Sequence, residues 1–331
     1  MSKDETILNL EGVTSLQNLA SIQEKLYKVI ENIEQVMVGK QETAVLSLVA
    51  LIAEGHVLLE DVPGVGKTMM VKALAKSINA DFKRIQFTPD LLPSDIVGVS
   101  IYNPKEAEFE YRAGPIMSHI VLGDEINRTS PKTQSALLEG MEEGKVTVDG
   151  VTRKLPVPFF VMATQNPVEF EGTYTLPEAQ LDRFLMKLNM GYPSMNEEIE
   201  ILNRLDIEDP LEKLESVMTM EELLEIQKRA KQIYVDDTIK RYIVQIIQQT
   251  RENDLVQLGV SPRGSIALMK GVQALALLSG RDYCLPDDVQ KLAPHILPHR
   301  LILKSEARFG GHTVEEVIRQ IVQQVYVPIK R

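Results

Sequence analysis

Apolar residues follow two different spacings along this chain. Apolar residues first recur every three or four positions, which predicts an amphipathic helix. They are Leu19, Ile22, Leu26, Val29, Ile33 and Val36. Three short apolar runs, at 57–59, 120–122 and 158–163, instead predict buried strands. Because helical patterns separate these runs, the sequence predicts an α/β domain with a parallel sheet.

Two β-hairpins are predicted as insertions between these units. Residues 146–148 and 151–153 flank Asp149-Gly150, a dipeptide that favours a two-residue hairpin turn. Residues 98–102 and 108–112 form a second pair of short strands. We therefore interpret both as additions to the α/β pattern.

The pattern changes near Tyr192, after which only helical periodicity remains. Capping boxes such as Thr219 with Glu222 mark the starts of helices there. We place a domain boundary within residues 191–194. The predicted segments are an N-terminal helical segment (1–35), an α/β core (36–191) and a smaller helical domain (192–331).

Composition and charge narrow the possible functions. Of the 331 residues, 44% are hydrophobic and 25% are charged, as in ordinary globular proteins. The 36 Lys and Arg against 47 Asp and Glu give a net charge of -11, which argues against a broad nucleic-acid-binding surface. The one cysteine, Cys284, excludes a disulfide framework and favours a reducing compartment. Without a visible leader or membrane segment, we expect a soluble, cytoplasmic protein.

A glycine-rich turn between the first predicted strand and the next helix points to phosphate binding. Gly64 and Gly66 let backbone N–H groups point inward, and the helix N-terminus adds the positive end of its dipole. Lys67 supplies a charge for the β- and γ-phosphates, and the Thr68 hydroxyl can ligate Mg²⁺. Asp61 replaces the first glycine of the usual pattern and brings a negative charge near the phosphates. The predicted nucleotide-binding residues are Gly64, Val65, Gly66, Lys67, Thr68 and Met69.

Polar residues follow the next two predicted strands. Asp124 is suited to hold Mg²⁺ through water, and Glu125 is suited to polarise an attacking water. The alternative for this acidic pair is capping of a helix. Asn166 presents an amide that could reach the γ-phosphate or the water, and a turn-forming role before proline is its alternative.

Taken together, these motifs resemble the MoxR-type AAA+ ATPases of the helix-2-insert clade. The resemblance extends from about residue 36 to residue 328 and rests on stretches at 60–68, 123–128, 163–167 and 176–184, with 261–263 and 299–301 in the helical part. It implies a P-loop NTPase fold with inserted β-hairpins and a small, all-helical lid. It also implies ATP and Mg²⁺ as cofactors and assembly into a homo-oligomeric ring, expected to be a hexamer.

The same resemblance implies roles for single residues. It places Asn166 at the sensor-1 position, Arg263 at the sensor-2 position, and Arg183 as an arginine finger that enters the neighbouring subunit's site. A guanidinium there would neutralise charge on the phosphoryl oxygens in the transition state. A salt bridge to Asp182 or Glu178 is the alternative for Arg183, and packing at a helix start is the alternative for Arg263. Whether Arg263 acts within its own subunit or the next is open.

The resemblance implies a chaperone-like ATPase that helps other protein complexes to assemble or mature, often with a von Willebrand factor A-domain partner. One alternative is a nucleic-acid translocase of the same clade, although the charge balance predicts no nucleic-acid partner. The other is a nucleotide-gated interaction protein with little turnover. Glu125, Asn166 and Arg183 argue against the second alternative, whereas Asp61 leaves it open.

Overall fold

The computed structural model describes residues 3–60, 64–166, 173–204 and 210–328, with side chains from residue 18 onward. Two compact units are present, one of residues 32–216 and one of residues 1–31 with 217–331. The first unit extends to residue 216, beyond residues 191–194, where the sequence pattern changes from strands to helices. One reason is that the helix at 195–204 belongs to the first unit, where Arg204 donates a hydrogen bond to the Gln35 carbonyl.

Five parallel strands form the central sheet of the first unit, in the order β2-β5-β8-β1-β9. In chain order, the strands of this unit are β1 (His56–Glu60), β2 (Phe82–Gln86), β3 (Gly98–Asn103), β4 (Glu108–Ala113), β5 (Ile120–Asp124), β6 (Lys145–Val148), β7 (Val151–Lys154), β8 (Phe160–Gln165) and β9 (Phe184–Leu188). Strands β1, β5 and β8 are buried along nearly their whole length because each has a neighbour on both sides. The predicted parallel α/β sheet is confirmed.

Helices flank this sheet and bury its apolar faces. They are α2 (Gln41–Ile52), α3 (Lys67–Ser77), α4 (Pro93–Val97), α5 (Pro131–Glu143), α6 (Glu178–Leu181), α7 (Met195–Arg204) and α8 (Pro210–Lys213). Helix α1 (Lys3–Val36) belongs to the second unit up to Glu31, and its last residues belong to the first. In the core beneath α5, Leu137 and Leu138 pack with Val121 and Val161 of the sheet, and all four are fully buried. This packing fixes the strand ends that carry polar residues.

Both predicted hairpins are present as two-stranded sheets apart from the central one. Strands β6 and β7 meet at Asp149 and Gly150, whose φ angles are 51° and 76°. These positive angles suit the tight turn that an Asp-Gly pair favours. Strands β3 and β4 pair in register from Gly98 with Ala113 to Asn103 with Glu108.

The second unit is mostly helical, as predicted. Its helices are α9 (Met220–Ala230), α10 (Asp237–Glu252), α11 (Pro262–Leu278), α12 (Pro286–Ile296), α13 (Ser305–Phe309) and α14 (Val314–Gln324). It also contains a small antiparallel sheet of β10 (Val256–Leu258) and β11 (Ile302–Leu303). Strands of three and two residues are too short to show an alternating pattern, so the sequence did not predict them.

Candidate functional site

Residues in and after the carboxyl ends of β1, β2, β5 and β8 line one cavity of about 390 Å³. Because these parallel strands are neighbours in the sheet, their carboxyl ends lie at the same edge. The lining residues are Gly64, Gly66, Lys67, Thr68, Met69, Arg84, Gln86, Asp124, Glu125, Thr164 and Asn166. The cavity therefore gathers most of the site residues that the sequence predicts.

The turn after β1 has the backbone that a phosphate cradle needs. Gly64 and Gly66 have φ angles of 83° and 89°, in the region that favours glycine. A Cβ at position 66 would also lie 2.8 Å from Met37 Cε. Helix α3 begins at Lys67, so backbone N–H groups of its first turn have no partner within the helix and can face an anion. Asp61 lies outside the described residues.

Side chains hold both carboxylate oxygens of Asp124. The Thr164 hydroxyl donates to Oδ1 at 2.7 Å, and Arg84 Nη2 donates to Oδ2 at 2.5 Å. Arg84 Nε reaches the same Oδ2 at 3.2 Å. Thr164 also accepts a hydrogen bond from the backbone N–H of Glu125. The ends of β2, β5 and β8 therefore fix this carboxylate together.

Glu125 has a backbone conformation that is uncommon for a residue with a side chain. Its φ and ψ angles are 58° and 48°, in the left-handed region. Its Oε2 accepts hydrogen bonds from Gln86 Nε2 at 2.8 Å and from Arg128 Nη1 at 3.0 Å. The two neighbouring acids thus have different partners, although they follow one strand.

Asn166 is buried directly after β8 and contributes to the cavity lining. Its backbone carbonyl accepts a hydrogen bond from Asn127 Nδ2 at 3.3 Å. Asn127 lies in the short 3₁₀ helix Ile126–Arg128 that follows the acidic pair. This contact joins the segment after β5 to the segment after β8, so the acids and the amide are positioned by one local structure.

The two predicted arginines are not in the cavity lining. Arg183 follows α6, and its Nε lies 2.9 Å from Glu142 Oε2 near the end of α5. The ion pair that the structure gives Arg183 therefore involves α5 and not the partners considered from the sequence. Arg263 lies in the first turn of α11, in the helical unit.

Sequence reasoning missed the contribution of β2, namely Arg84 and Gln86. Strand β2 is polar, with only Ile85 buried, so it lacks the apolar run by which β1, β5 and β8 were found. The available signal was its alternation, because Ile85 stands between two polar residues that face the cavity. Thr164 was also missed as a partner of Asp124.

A second cavity, of about 460 Å³, lies beside the glycine turn. Val65 of the glycine turn lines this cavity, and most of the other lining residues are apolar. They are Val36, Met37, Val38, Lys40, Gly64, Gly66, Met69, Tyr192, Pro193, Glu198, Ile201 and Leu202. Lys40 Nζ donates to the carbonyls of Met190 at 2.6 Å and Gly191 at 3.1 Å, which ties the segment before α7 to the start of α2.

The donor set suits a metal that also binds phosphate. Among the described residues, no group of three or more His, Cys, Asp and Glu side chains could hold a metal ion. Thr68 and Asp124 offer hard oxygen atoms in one cavity, and Mg²⁺ binds through a few such ligands together with phosphate and water.

In the part of the chain that the structure describes, no helix is long and apolar enough to cross a bilayer.

Known proteins resemble this chain over nearly its whole length. Residues 56–186 match the family described as "ATPase family associated with various cellular activities (AAA)", and residues 248–321 match the AAA lid domain. The YeaC protein of Bacillus subtilis is 66% identical, over 92% of this chain and 96% of its own. The chaperone MoxR1 of Mycobacterium tuberculosis is 42% identical, over 94% and 85%. A crystal structure of a candidate ATPase from Cytophaga hutchinsonii has a TM-score of 0.90 and 37% identity, over 97% and 100%.

Proposed function

This chain belongs to the MoxR-type AAA+ ATPases, and we propose that it hydrolyses ATP with Mg²⁺ in a ring of its own copies, to help other protein complexes assemble or mature. The observation that carries the proposal is the single cavity in which the glycine turn, Asp124, Glu125 and Asn166 meet. Each of these groups has a part in transfer of a phosphoryl group to water.

The glycine turn binds the phosphates through its backbone N–H groups and the charge of Lys67. Thr68 and Asp124 would hold Mg²⁺, which would neutralise charge on the phosphate oxygens. Glu125 accepts a proton from the attacking water, and the Asn166 amide orients that water toward the γ-phosphate. To do this, Glu125 turns its carboxylate from Gln86 and Arg128 toward the water.

The second cavity is the proposed site for the adenine base. Met37, Ile201 and Leu202 give it an apolar lining next to the glycine turn, and the Tyr192 side chain adds an aromatic ring. A flat, largely apolar base fits such a surface, while the phosphates reach the turn. Its position beside Gly64 and Gly66 supports binding of one nucleotide across both cavities.

Arg183 acts on a neighbouring copy in this proposal. It is outside the lining of its own cavity, and an arginine supplied by a second subunit is worth about 10³–10⁵ in rate where this has been measured. Arg263 is the proposed sensor in the lid. The relative named as a chaperone supports a client that is another protein. A von Willebrand factor A-domain protein is the proposed partner.

Lys67→Ala tests the phosphate site. Without this cation, the variant should lose most of its affinity for ATP in calorimetry with Mg²⁺ and should not hydrolyse ATP. Lys72→Ala is the matched control, because Lys72 lies further along α3 and outside the cavity lining. For the parent, ATP turnover per subunit should rise with protein concentration as rings form. Unchanged ATP affinity in Lys67→Ala would reject the phosphate-loop assignment.

A further inference from the structure

Arg84 is a second cation in the cavity, and the proposed reaction gives it no role. Among the described residues, Lys67 and Arg84 are the lysine and arginine side chains that line the cavity. Arg84 Nη2 lies 2.5 Å from Asp124 Oδ2, and its Nε lies 3.2 Å from the same oxygen. The guanidinium therefore contacts the carboxylate oxygen through two nitrogens.

Thr164 and Arg84, which both donate hydrogen bonds to Asp124, differ in how easily they can move away from it. Thr164 is fully buried, whereas the Arg84 side chain is 48% exposed. A divalent cation held by Asp124, directly or through water, would lie next to the guanidinium and be repelled by it. Since the buried hydroxyl is fixed in the core, Arg84 is the partner that can give way.

We propose that Arg84 competes with Mg²⁺ for the Asp124 carboxylate, so that loading of the metal displaces the guanidinium. The inference rests on the proposed function, because Asp124 is taken as a metal-binding residue. It assigns Arg84 as a positioning residue that sets the metal affinity of the site.

A chain of hydrogen bonds connects Arg84 to Glu125, so displacement of Arg84 would also affect this second carboxylate. Arg84 Nη2 donates to Gln86 Oε1 at 2.6 Å, and Gln86 Nε2 donates to Glu125 Oε2 at 2.8 Å. Arg84 thus fixes which end of the Gln86 amide faces Glu125. Displacement of Arg84 from Asp124 removes this constraint at the same moment as the metal enters.

The competing explanation is a permanent ion pair that orients Asp124 for the metal. The two explanations predict opposite signs. If Arg84 competes with the metal, its removal strengthens metal binding. If Arg84 only orients the carboxylate, its removal leaves Asp124 less ordered and weakens metal binding.

The test uses Mn²⁺ as a probe for Mg²⁺ and measures its binding to the protein in complex with ADP. The electron paramagnetic resonance signal of free Mn²⁺ gives the bound fraction. ADP keeps the readout independent of hydrolysis. Arg84→Gln should bind Mn²⁺ about three- to tenfold more tightly than the parent. Arg84→Lys keeps the charge but has one nitrogen in place of the two that contact Asp124. Its Mn²⁺ affinity should therefore lie between those of the parent and Arg84→Gln.

Arg128→Gln is the matched control, since it removes the same charge from beside Glu125 and leaves the contacts of Asp124 in place. Its Mn²⁺ affinity should change by less than about twofold, which measures the general effect of charge. Mn²⁺ affinity in Arg84→Gln that equals that of Arg128→Gln, or that falls below the parental value, would overturn the proposal. A parent that holds no Mn²⁺ with ADP would overturn the proposed function as well.

Discussion

At the scale of single residues, Glu125 is the side chain on which the proposed hydrolysis depends. Its left-handed backbone brings its side chain into the cavity beside Asp124, and Gln86 and Arg128 hold its carboxylate. A strained conformation of this kind persists only where the surroundings fix it. The surroundings here are the Thr164 hydroxyl, which accepts from the backbone N–H of Glu125, and the segment that follows.

Glu125→Gln should bind ATP as the parent does and hydrolyse it about 10²–10⁴-fold more slowly, because an amide keeps the shape but cannot accept the proton. Calorimetry gives the affinity, and single-turnover release of phosphate gives the rate. Glu139→Gln is a control on α5, outside the cavity lining. Turnover of Glu125→Gln at the parental rate would remove Glu125 from the mechanism.

The residues of the site could be predicted wherever a chemical type follows an apolar strand. Lys67, Asp124, Glu125 and Asn166 were all found in this way, and all line the cavity. Arg84 was not found, because its strand is polar and its contact with Asp124 joins residues 40 positions apart. The functional roles of Lys67, Asp124, Glu125 and Asn166 stay predictions.

At the scale of elements, His56 joins two strands and a helix. Its Nδ1 accepts a hydrogen bond from the Val161 N–H of β8 at 3.1 Å, and its Nε2 lies 3.2 Å from the Met141 carbonyl of α5. Burial lowers the pKa of His56 to about 4. The ring is therefore neutral in the folded protein at neutral pH, where Nε2–H can donate to α5 while Nδ1 accepts from β8.

This pKa predicts a loss of stability in mild acid. The folded pKa lies below the unfolded value of about 6.5, so below that pH the unfolded chain binds a proton that the folded protein excludes. From pH 7.5 to pH 5.5, the parent should lose about 1.4 kcal/mol more unfolding free energy than His56→Gln does. Urea denaturation of both proteins at the two pH values measures it. An equal loss in both would contradict a neutral, buried His56.

The elements themselves could be predicted where local chemistry is strong. The Asp149-Gly150 turn and the Thr219–Glu222 capping box are both formed as expected, because each depends on neighbours in sequence. Strands β2 and β9 and the β10–β11 pair were missed. Their formation depends on pairing with distant strands, which short or polar segments do not reveal.

At the scale of the whole molecule, we propose that ATP is hydrolysed in a site that a second copy of the chain completes. Arg183 is bound to Glu142 of its own chain and takes no part in lining its own cavity. Arg183→Ala should therefore keep ATP binding and lose hydrolysis. Lys67→Ala should keep a working Arg183 and lose its own site.

The decisive experiment measures ATP hydrolysis by mixtures of these two inactive variants. Light scattering first shows that both assemble, and energy transfer between labelled copies shows that they exchange subunits. We expect activity to return in part, because a subunit with Arg183→Ala can receive Arg183 from a Lys67→Ala neighbour. The recovered activity should be highest at intermediate ratios and absent in either variant alone. Mixtures that stay inactive at every ratio would contradict the claim and make Arg183 a structural residue paired with Glu142.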